Sequence, residues 1–222
     1  MIDPTKWGEP VLVHSVPSGA LEDFMVVERY DGGYWAYFTT GPALTDQRLY
    51  RARGSSPLGP FTDPVPVLES LNVHTRLSRG RINIDLAIVD GIYQGLPKVG
   101  LFLYRFVSTG PRSCVESRSI LIPPHGEFSV AAVNPSVAPD GGGYTIFFEG
   151  RGELQPNVSS AAAWKVYQAY WDGKAGLANV FPQSFVGANP HIVNFGHLWF
   201  LYTSQWNGHG FDTWARTQEV QQ

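Results

Sequence analysis

The sequence has one cysteine, few charges and no long apolar run, and each shortage excludes a class of protein. Cys114 alone cannot form an internal disulfide framework. Charged residues make up only 16% of the 222 residues, the net charge is −3, and no basic run is present. Nucleic acid is therefore disfavoured as a partner, because binding phosphate backbones needs clustered Lys and Arg. No stretch approaches the roughly 18 apolar residues of a membrane span, so we expect no membrane partner.

The N-terminal segment MIDPTKWGEP lacks the positive region and apolar core of a secretory signal. We therefore expect a cytoplasmic protein, unless a leader peptide has been removed. Histidines do not recur at metal-ligand spacing, so no zinc site is expected. The segment DGGGY lacks the strand-to-helix context of a nucleotide-binding loop. We expect no cofactor, while the sequence leaves a structural calcium ion and the oligomeric state undetermined.

Glycine and aromatic residues are abundant, and they recur in a fixed order. Each copy of this repeat has a polar head residue, a short apolar run, a turn and an aromatic run. The copies are Glu22–Gly41, Asn83–Phe106, Asn134–Gly152 and Asn189–Gly208, the second being the weakest. Alternating β-branched and aromatic residues bounded by Gly, Pro, Asn and Asp are typical of strands.

The head residues are spaced like the blades of a β-propeller. They are Asp23, Asp85, Asn134 and Asn189, and their separation of roughly 50–60 residues lies in the range of blade repeats. The pattern predicts an all-β fold, a small β-propeller that forms a single domain over residues 1–222. A spare N-terminal strand, Glu9–Val13, is predicted to close the ring by joining the last blade.

Two points of this architecture stay open at the level of sequence. A fifth, degenerate blade is an alternative around Pro57–Arg81. A β-sandwich whose strands are similar by accident is the rival fold.

Three segments resemble a known family. LYRARGSSPLGPFTDPVPVL (Leu49–Leu68), EDFMVVERYDGGYWAYFTT (Glu22–Thr40) and INIDLAIVDG (Ile82–Gly91) are similar to elements of the furanosidase-type propellers of glycoside hydrolase family 43 and its relatives in families 32, 62, 68 and 130. The resemblance implies a central funnel lined by the first strand of each blade. In such funnels carboxylates act as general base, general acid and pKa modulator.

Carried over by motif, the resemblance makes Asp23 the general base and Asp85 the modulator. The family's general acid sits in a Glu-x-Pro opener, and no such Glu precedes Pro135 or Pro190 here. Phe24 and Leu86 also replace the Pro that usually follows each Asp.

The general acid must therefore come from elsewhere in the chain. The candidates are Glu149 in FFEGRG and Glu127 in PPHGEFSV. A solvated strand end or loop is the structural alternative for each of them.

Substrate binding is assigned to polar and aromatic residues near the predicted blade heads. An amide cannot exchange a proton near neutral pH, so the Asn heads are binding rather than catalytic candidates. Guanidinium groups suit polyhydroxylated or anionic ligands. The candidates are Asn134, Asn189, His191, His74, Arg76, Arg151 and Trp206.

These residues predict a protein similar to glycoside hydrolases that acts on a glycoside or other small polar substrate by acid/base catalysis. Its partner would be a carbohydrate or another small molecule. The alternative is a non-hydrolytic propeller that binds such a ligand, or an enzyme of different chemistry on the same scaffold. Two acidic heads favour the first reading, and two amide heads favour the second.

Overall fold

The computed structural model describes residues 1–42, 48–67, 85–93, 96–108, 113–153, 163–174 and 176–220, with residues 20–23 and 85–120 described by their backbone alone. Within these ranges the regular structure consists of β-strands and one short 3-10 helix, Gly126–Phe128. The predicted all-β class is confirmed. The described residues contain no helix with the length and hydropathy needed to cross a bilayer.

The strands follow one another in antiparallel meanders. In chain order they are β1 (Val11–Val16), β2 (Ala20–Glu28), β3 (Tyr34–Gly41), β4 (Arg48–Gly54), β5 (Thr62–Pro66), β6 (Asp85–Tyr93), β7 (Leu96–Ser108), β8 (Ser113–Ile122), β9 (Ala131–Asp140), β10 (Gly143–Arg151), β11 (Lys165–Trp171), β12 (Asn179–Val186), β13 (Ala188–Phe195), β14 (Leu198–Trp206) and β15 (Phe211–Glu219).

The chain divides into two compact units. The first, Met1–Leu77 with Phe185–Gln222, holds two four-stranded sheets, ordered β2-β3-β4-β5 and β1-β15-β14-β13. The second, Ser78–Ser184, is built on a seven-stranded sheet in which the meander β9–β12 adjoins the meander β6–β8. The two meanders meet through a single parallel register pair, Val99 with Ala131. These sheets are of the kind that forms propeller blades, while a closed ring and a single domain stay predictions.

The N-terminal strand pairs with the last strand, as the sequence predicts. β1 runs antiparallel to β15, with Val11 opposite Ala215 and Val16 opposite Phe211. The strand begins at Val11, two residues later than the predicted start at Glu9. Residues far apart in the chain thus complete one four-stranded sheet.

The region proposed for a fifth blade does not supply an independent sheet where it is described. β5 pairs with β4 and forms the outer strand of the first sheet. The remainder of that region, residues 68–81, lies outside the described residues.

The members of each core cluster come mostly from alternate positions of their strands, which share a face of the sheet. In the first unit β13 and β14 pack against β2, and the core contains Val13, Val16, Phe24, Val26, Ala36, Phe38, Ala52, Phe61, Val193, Phe200, Tyr202 and Ala215. The second unit has its own cluster, consisting of Leu121, Ile122, Phe128, Ala132, Ile146, Phe148, Tyr167, Ala169 and Trp171. β10 is buried along almost its whole length.

A β-bulge interrupts one strand of each sheet at a predicted head residue. On β2, the two residues Asp23 and Phe24 face one residue of β3. The Asn134–Pro135 pair of β9 faces one residue of β10 in the same way, as does the Asn189–Pro190 pair of β13 against β14. The register of β6 with β7 from Asp85 onward has no such extra residue.

His14 of β1 is packed inside the aromatic core of the first unit. Its ring lies 4.5 Å from that of Phe38 and 5.6 Å from that of Phe24, measured between ring centroids. Its Nδ1 lies 3.2 Å from the carbonyl oxygen of Phe61 and donates to it, because a carbonyl can only accept. Burial lowers the pKa of His14, and the hydrogen bond to Phe61 opposes part of that effect.

This environment predicts a pH-dependent stability. Because the folded-state pKa of His14 lies below the 6.5 of an unperturbed histidine, the unfolded chain binds the proton first. The contribution of His14 to the free energy of unfolding is complete above pH 6.5 and is lost as the pH falls through the folded-state pKa. We expect urea unfolding to show this loss in the wild type and a smaller one in His14→Asn, which keeps a donor for Phe61.

The exposed His209 provides the control, since His209→Asn should retain the pH dependence of the wild type. Equal pH dependence in His14→Asn and the wild type would contradict the assignment.

Candidate functional site

The candidate site lies in the second unit, where β9 bulges beside the end of β10. Asn134 begins the bulge with φ of 50°, in the left-handed region. Among residues with a Cβ, asparagine is one of those that enter this region most readily. The bulge re-aims the side chain of the strand that carries it. This explains at the level of backbone why an Asn stands at this head.

The bulge brings Asn134 to a buried carboxyl group. Asn134 Nδ2 donates a hydrogen bond to Glu149 Oε1 across the β9–β10 pair. Glu149 is only 4% exposed, and it stands opposite Val133 in the register. A carboxyl group removed from water to this extent is costly unless hydrogen bonds compensate, and the Asn134 amide supplies one of them.

The other two bulges have neutral residues at the position of Glu149. The residue opposite the one preceding the head is Thr39 on β3 and Ser204 on β14. Both are buried, at 0% and 1% exposed, and both carry a hydroxyl group in place of a carboxyl. The same backbone arrangement therefore forms without an acid at this position.

Two glycines after Glu149 allow the 3-10 helix to lie against the end of β10. A Cβ at Gly150 would come within 2.6 Å of Phe128 Cβ and 2.7 Å of the Tyr167 ring. A Cβ at Gly152 would come within 2.7 Å of the Glu127 carbonyl oxygen. In the segment EGRG, Glu149 supplies the carboxyl group, and the two glycines let the 3-10 helix pack close to the end of the strand.

Glu127, the other candidate acid, lies on the surface of the 3-10 helix. Its Oε2 is 3.1 Å from Lys165 Nζ and 3.3 Å from the Tyr167 hydroxyl. The hydrogen bond and the charge of Lys165 lower the pKa of Glu127. Burial, and then the negative charge of Glu127, raise the pKa of Tyr167 far above its usual range. Glu127 is therefore an exposed carboxylate at neutral pH.

Arg151 ends β10 and is partly buried. Its guanidinium carbon lies 5.2 Å from the centroid of the Trp164 ring. Its Nε is buried and has no hydrogen-bond acceptor among the described residues. The charge of Arg151 thus lies two positions after Glu149, on a strand whose alternate residues share a face.

The residues around the bulge of β13 differ from those around the bulge of β9. Asn189 has φ of 49° and is 9% exposed. His191 stands opposite Tyr202, and their rings stack at a centroid distance of 6.0 Å. The Tyr202 hydroxyl donates to the Pro57 carbonyl oxygen at 2.7 Å, and burial raises its pKa well above the usual value. In this bulge the tyrosine hydroxyl is already used to hold a loop of the same unit.

The remaining predicted site residues are placed as follows. Trp206 ends β14, is partly buried and packs edge-to-face on Phe211 at 5.2 Å between centroids. Asp23 lies in the bulge of β2 and Asp85 at the first position of β6, both described by backbone alone. His74 and Arg76 lie outside the described residues. The structure thus joins Asn134 and Glu149 directly, and the role assigned to every candidate stays a prediction.

No group of three or more His, Cys, Asp or Glu side chains suited to a metal ion occurs in the described part of the chain.

The sequence predicts that the amide heads bind a ligand, and it does not reveal the contact of Asn134 with the carboxyl group of Glu149 on the opposite strand. The signal that could have revealed it is spacing. In three repeats the head is followed after 15 or 16 residues by a polar residue in the aromatic strand, which is Thr39, Glu149 or Ser204.

The sequence matches no protein-family model and no curated protein. Among solved structures, the chain is similar to an exo-1,5-α-L-arabinanase from a bovine ruminal metagenomic library, with 13% identity over 91% of this chain and 75% of that chain and a TM-score of 0.41. It is also similar to an endo-arabinase from Bacteroides thetaiotaomicron, with 13% identity, coverage of 89% and 75%, and a TM-score of 0.37.

A third similar structure is an α-L-arabinofuranosidase from Lactobacillus brevis, with 10% identity, coverage of 89% and 72%, and a TM-score of 0.36. These are distant likenesses of fold, and with TM-scores this low none of them bears on the choice of site or chemistry.

The positive φ of Asn189 predicts an unusual order of stability between its Ala and Gly variants. We expect Asn189→Ala to be less stable than Asn189→Gly by about 1 kcal/mol, because a Cβ is disfavoured at positive φ. Both variants lack the amide, so urea unfolding of the pair isolates the backbone effect.

Asn194 on the same strand is the matched control, since it is not among the residues with positive φ. At this position we expect Asn194→Ala to be more stable than Asn194→Gly, as in ordinary strands. If the Ala and Gly variants had the same order of stability at both positions, the backbone of Asn189 would not be strained.

Proposed function

We propose that this protein acts on a glycoside by acid/base catalysis and that Glu149 is its general acid. In such a reaction a protonated carboxyl group donates its proton to the glycosidic oxygen as the bond to the sugar carbon breaks. A second carboxylate takes a proton from the water molecule that adds to that carbon. From the sequence, Asp23 is the proposed base and Asp85 the proposed modulator.

The contrast among the three bulges carries this proposal. Thr39 and Ser204 occupy the same register position as Glu149 and are neutral. A buried carboxyl group is therefore not required to build the bulge, and it costs more to bury than a hydroxyl. Because the bulge does not require a carboxyl group, the free-energy cost of burying Glu149 is best explained by a chemical role.

The surroundings of the two glutamates favour Glu149 over Glu127 as the acid. Glu127 is exposed, and its pKa is lowered by Lys165, so at neutral pH it has no proton to donate. Glu149 is shielded from water and its contact with Asn134 is to a neutral amide. Burial away from water disfavours the charged form of a carboxyl group, and a general acid needs the protonated form.

Asn134 is proposed as a positioning residue for Glu149. Its left-handed backbone fixes where the amide points, and the amide holds one carboxyl oxygen. Asn189, His191, Arg151 and Trp206 are retained as proposed substrate contacts on the grounds given by the sequence.

A second candidate function is binding without hydrolysis. The two amide heads favour it, since Asn134 and Asn189 stand where the resembling family has acids, and amides bind polar groups without exchanging protons.

The test is hydrolysis of a panel of aryl furanosides and pyranosides. We expect the wild type to turn over at least one substrate and Glu149→Gln to lower kcat by roughly 10²–10⁴-fold, the usual contribution of a general acid. Gln keeps an oxygen that accepts from Asn134, so the thermal unfolding midpoint should change little. Asp23→Asn and Asp85→Asn should also lower kcat.

Glu153→Gln is the matched control, because Glu153 is exposed just beyond the same strand. It should keep wild-type kcat. A loss in Glu127→Gln with none in Glu149→Gln would reverse the assignment of the acid. If the wild type has no turnover on any substrate but binds a sugar of the panel, the second candidate function replaces the first.

A further inference from the structure

Three arginines surround a single tryptophan ring on the first sheet. The guanidinium carbons of Arg29, Arg51 and Arg53 lie 4.7, 4.7 and 5.1 Å from the centroid of Trp35. No two of these carbons can therefore be more than about 10 Å apart. We call this group of four residues the Trp35 cluster.

The strand register explains the cluster. Trp35 on β3 stands opposite Arg53 on β4, and Arg51 stands opposite Tyr37, the next residue of β3 on the same face. Arg29 follows the last residue of β2, two positions after Val27, which pairs with Trp35. All three guanidinium groups thus converge on one face of the hairpin end.

Only Arg29 of the three forms an ion pair within the described residues, although the charge of Arg53 also helps to lower the pKa of Asp31, the partner of Arg29. Arg29 makes a bidentate contact with Asp31, from Nε to Oδ1 at 2.8 Å and from a terminal nitrogen to Oδ2 at 2.5 Å. Arg51 and Arg53 are exposed and form no ion pair with any described carboxylate. Two like charges at about 10 Å repel by only about 0.4 kcal/mol in water, but an anion placed between them would be attracted by both.

An exposed aromatic residue follows Arg29 in the chain. Tyr30, between Arg29 and Asp31 in the turn, is completely exposed, at 103% of its reference area. Aromatic side chains with a polar tip are frequent where a flat or amphipathic ligand is bound. Exposed guanidinium groups suit a sugar that carries a carboxylate, since their forks can bind the anion, and an exposed ring in the adjoining turn could stack on a sugar ring.

We propose that the Trp35 cluster with Tyr30 is a binding site for an anionic polysaccharide, one built from sugars that carry carboxylates. The site contains none of the residues proposed for catalysis and does not depend on the catalytic proposal. A polynucleotide is a poorer occupant, because its backbone needs an extended cationic track and the chain as a whole carries a net charge of −3. The function of the site would be to hold the polymer at the protein surface.

Titration calorimetry with an oligogalacturonate tests the proposal. We expect measurable binding to the wild type and at least roughly tenfold weaker binding to the double variant Arg51→Gln/Arg53→Gln, which corresponds to about 1.4 kcal/mol. The fully methyl-esterified oligosaccharide has the same backbone without the charge and should bind much more weakly. Because the measurement is of binding and not of turnover, failure of the catalytic proposal leaves this result unaffected.

The double variant Lys6→Gln/Arg48→Gln is the matched control, because it removes two positive charges from the same unit at exposed positions outside the Trp35 cluster. Its affinity should remain within about twofold of the wild type. The proposal is overturned if the wild type does not bind, if the control variant loses as much affinity as the test variant, or if single-stranded DNA binds more tightly than the oligogalacturonate.

Discussion

The candidate site depends on one extra residue in the first strand of a sheet. Side chains alternate between the two faces of a strand, so inserting one residue changes which face each later side chain occupies. At Asn134 this extra residue has a positive φ, and its amide is directed to Glu149. Without the bulge, the polar head and the apolar residues that follow it could not keep their present faces together. The packing of β9 and the chemistry of the site are therefore consequences of the same backbone irregularity.

A polar residue is buried on the strand opposite each bulge at a head residue. These residues are Thr39, Glu149 and Ser204. A hydroxyl group is sufficient in two of the three sheets. Using a carboxyl group in the third raises the cost of burial and adds an acid, which is the exchange expected where stability is given up for chemistry.

The repeats in the sequence predicted the all-β class, the meanders and the pairing of the N-terminal strand with the last one. These follow from alternation and turn residues, which act locally. The Asn-Pro pairs were seen as heads, but their bulge was not predicted, because the register depends on the facing strand. The Asn134–Glu149 contact joins residues 15 positions apart in the chain. Tyr202 and Pro57, 145 positions apart, lie still further beyond the reach of local patterns.

The two proposed sites use opposite physical strategies, and this is an argument for treating them as distinct. Glu149 is shielded from water, and electrostatic interactions at short range are stronger in such an environment. Arg51 and Arg53 are exposed, so their interactions with an anion are screened by salt and reversible. A polymer held weakly by exposed charges can move along the surface, whereas a bond to be broken must be held where water is excluded. A protein that acts on a long anionic chain would need both properties, and no single environment supplies them together.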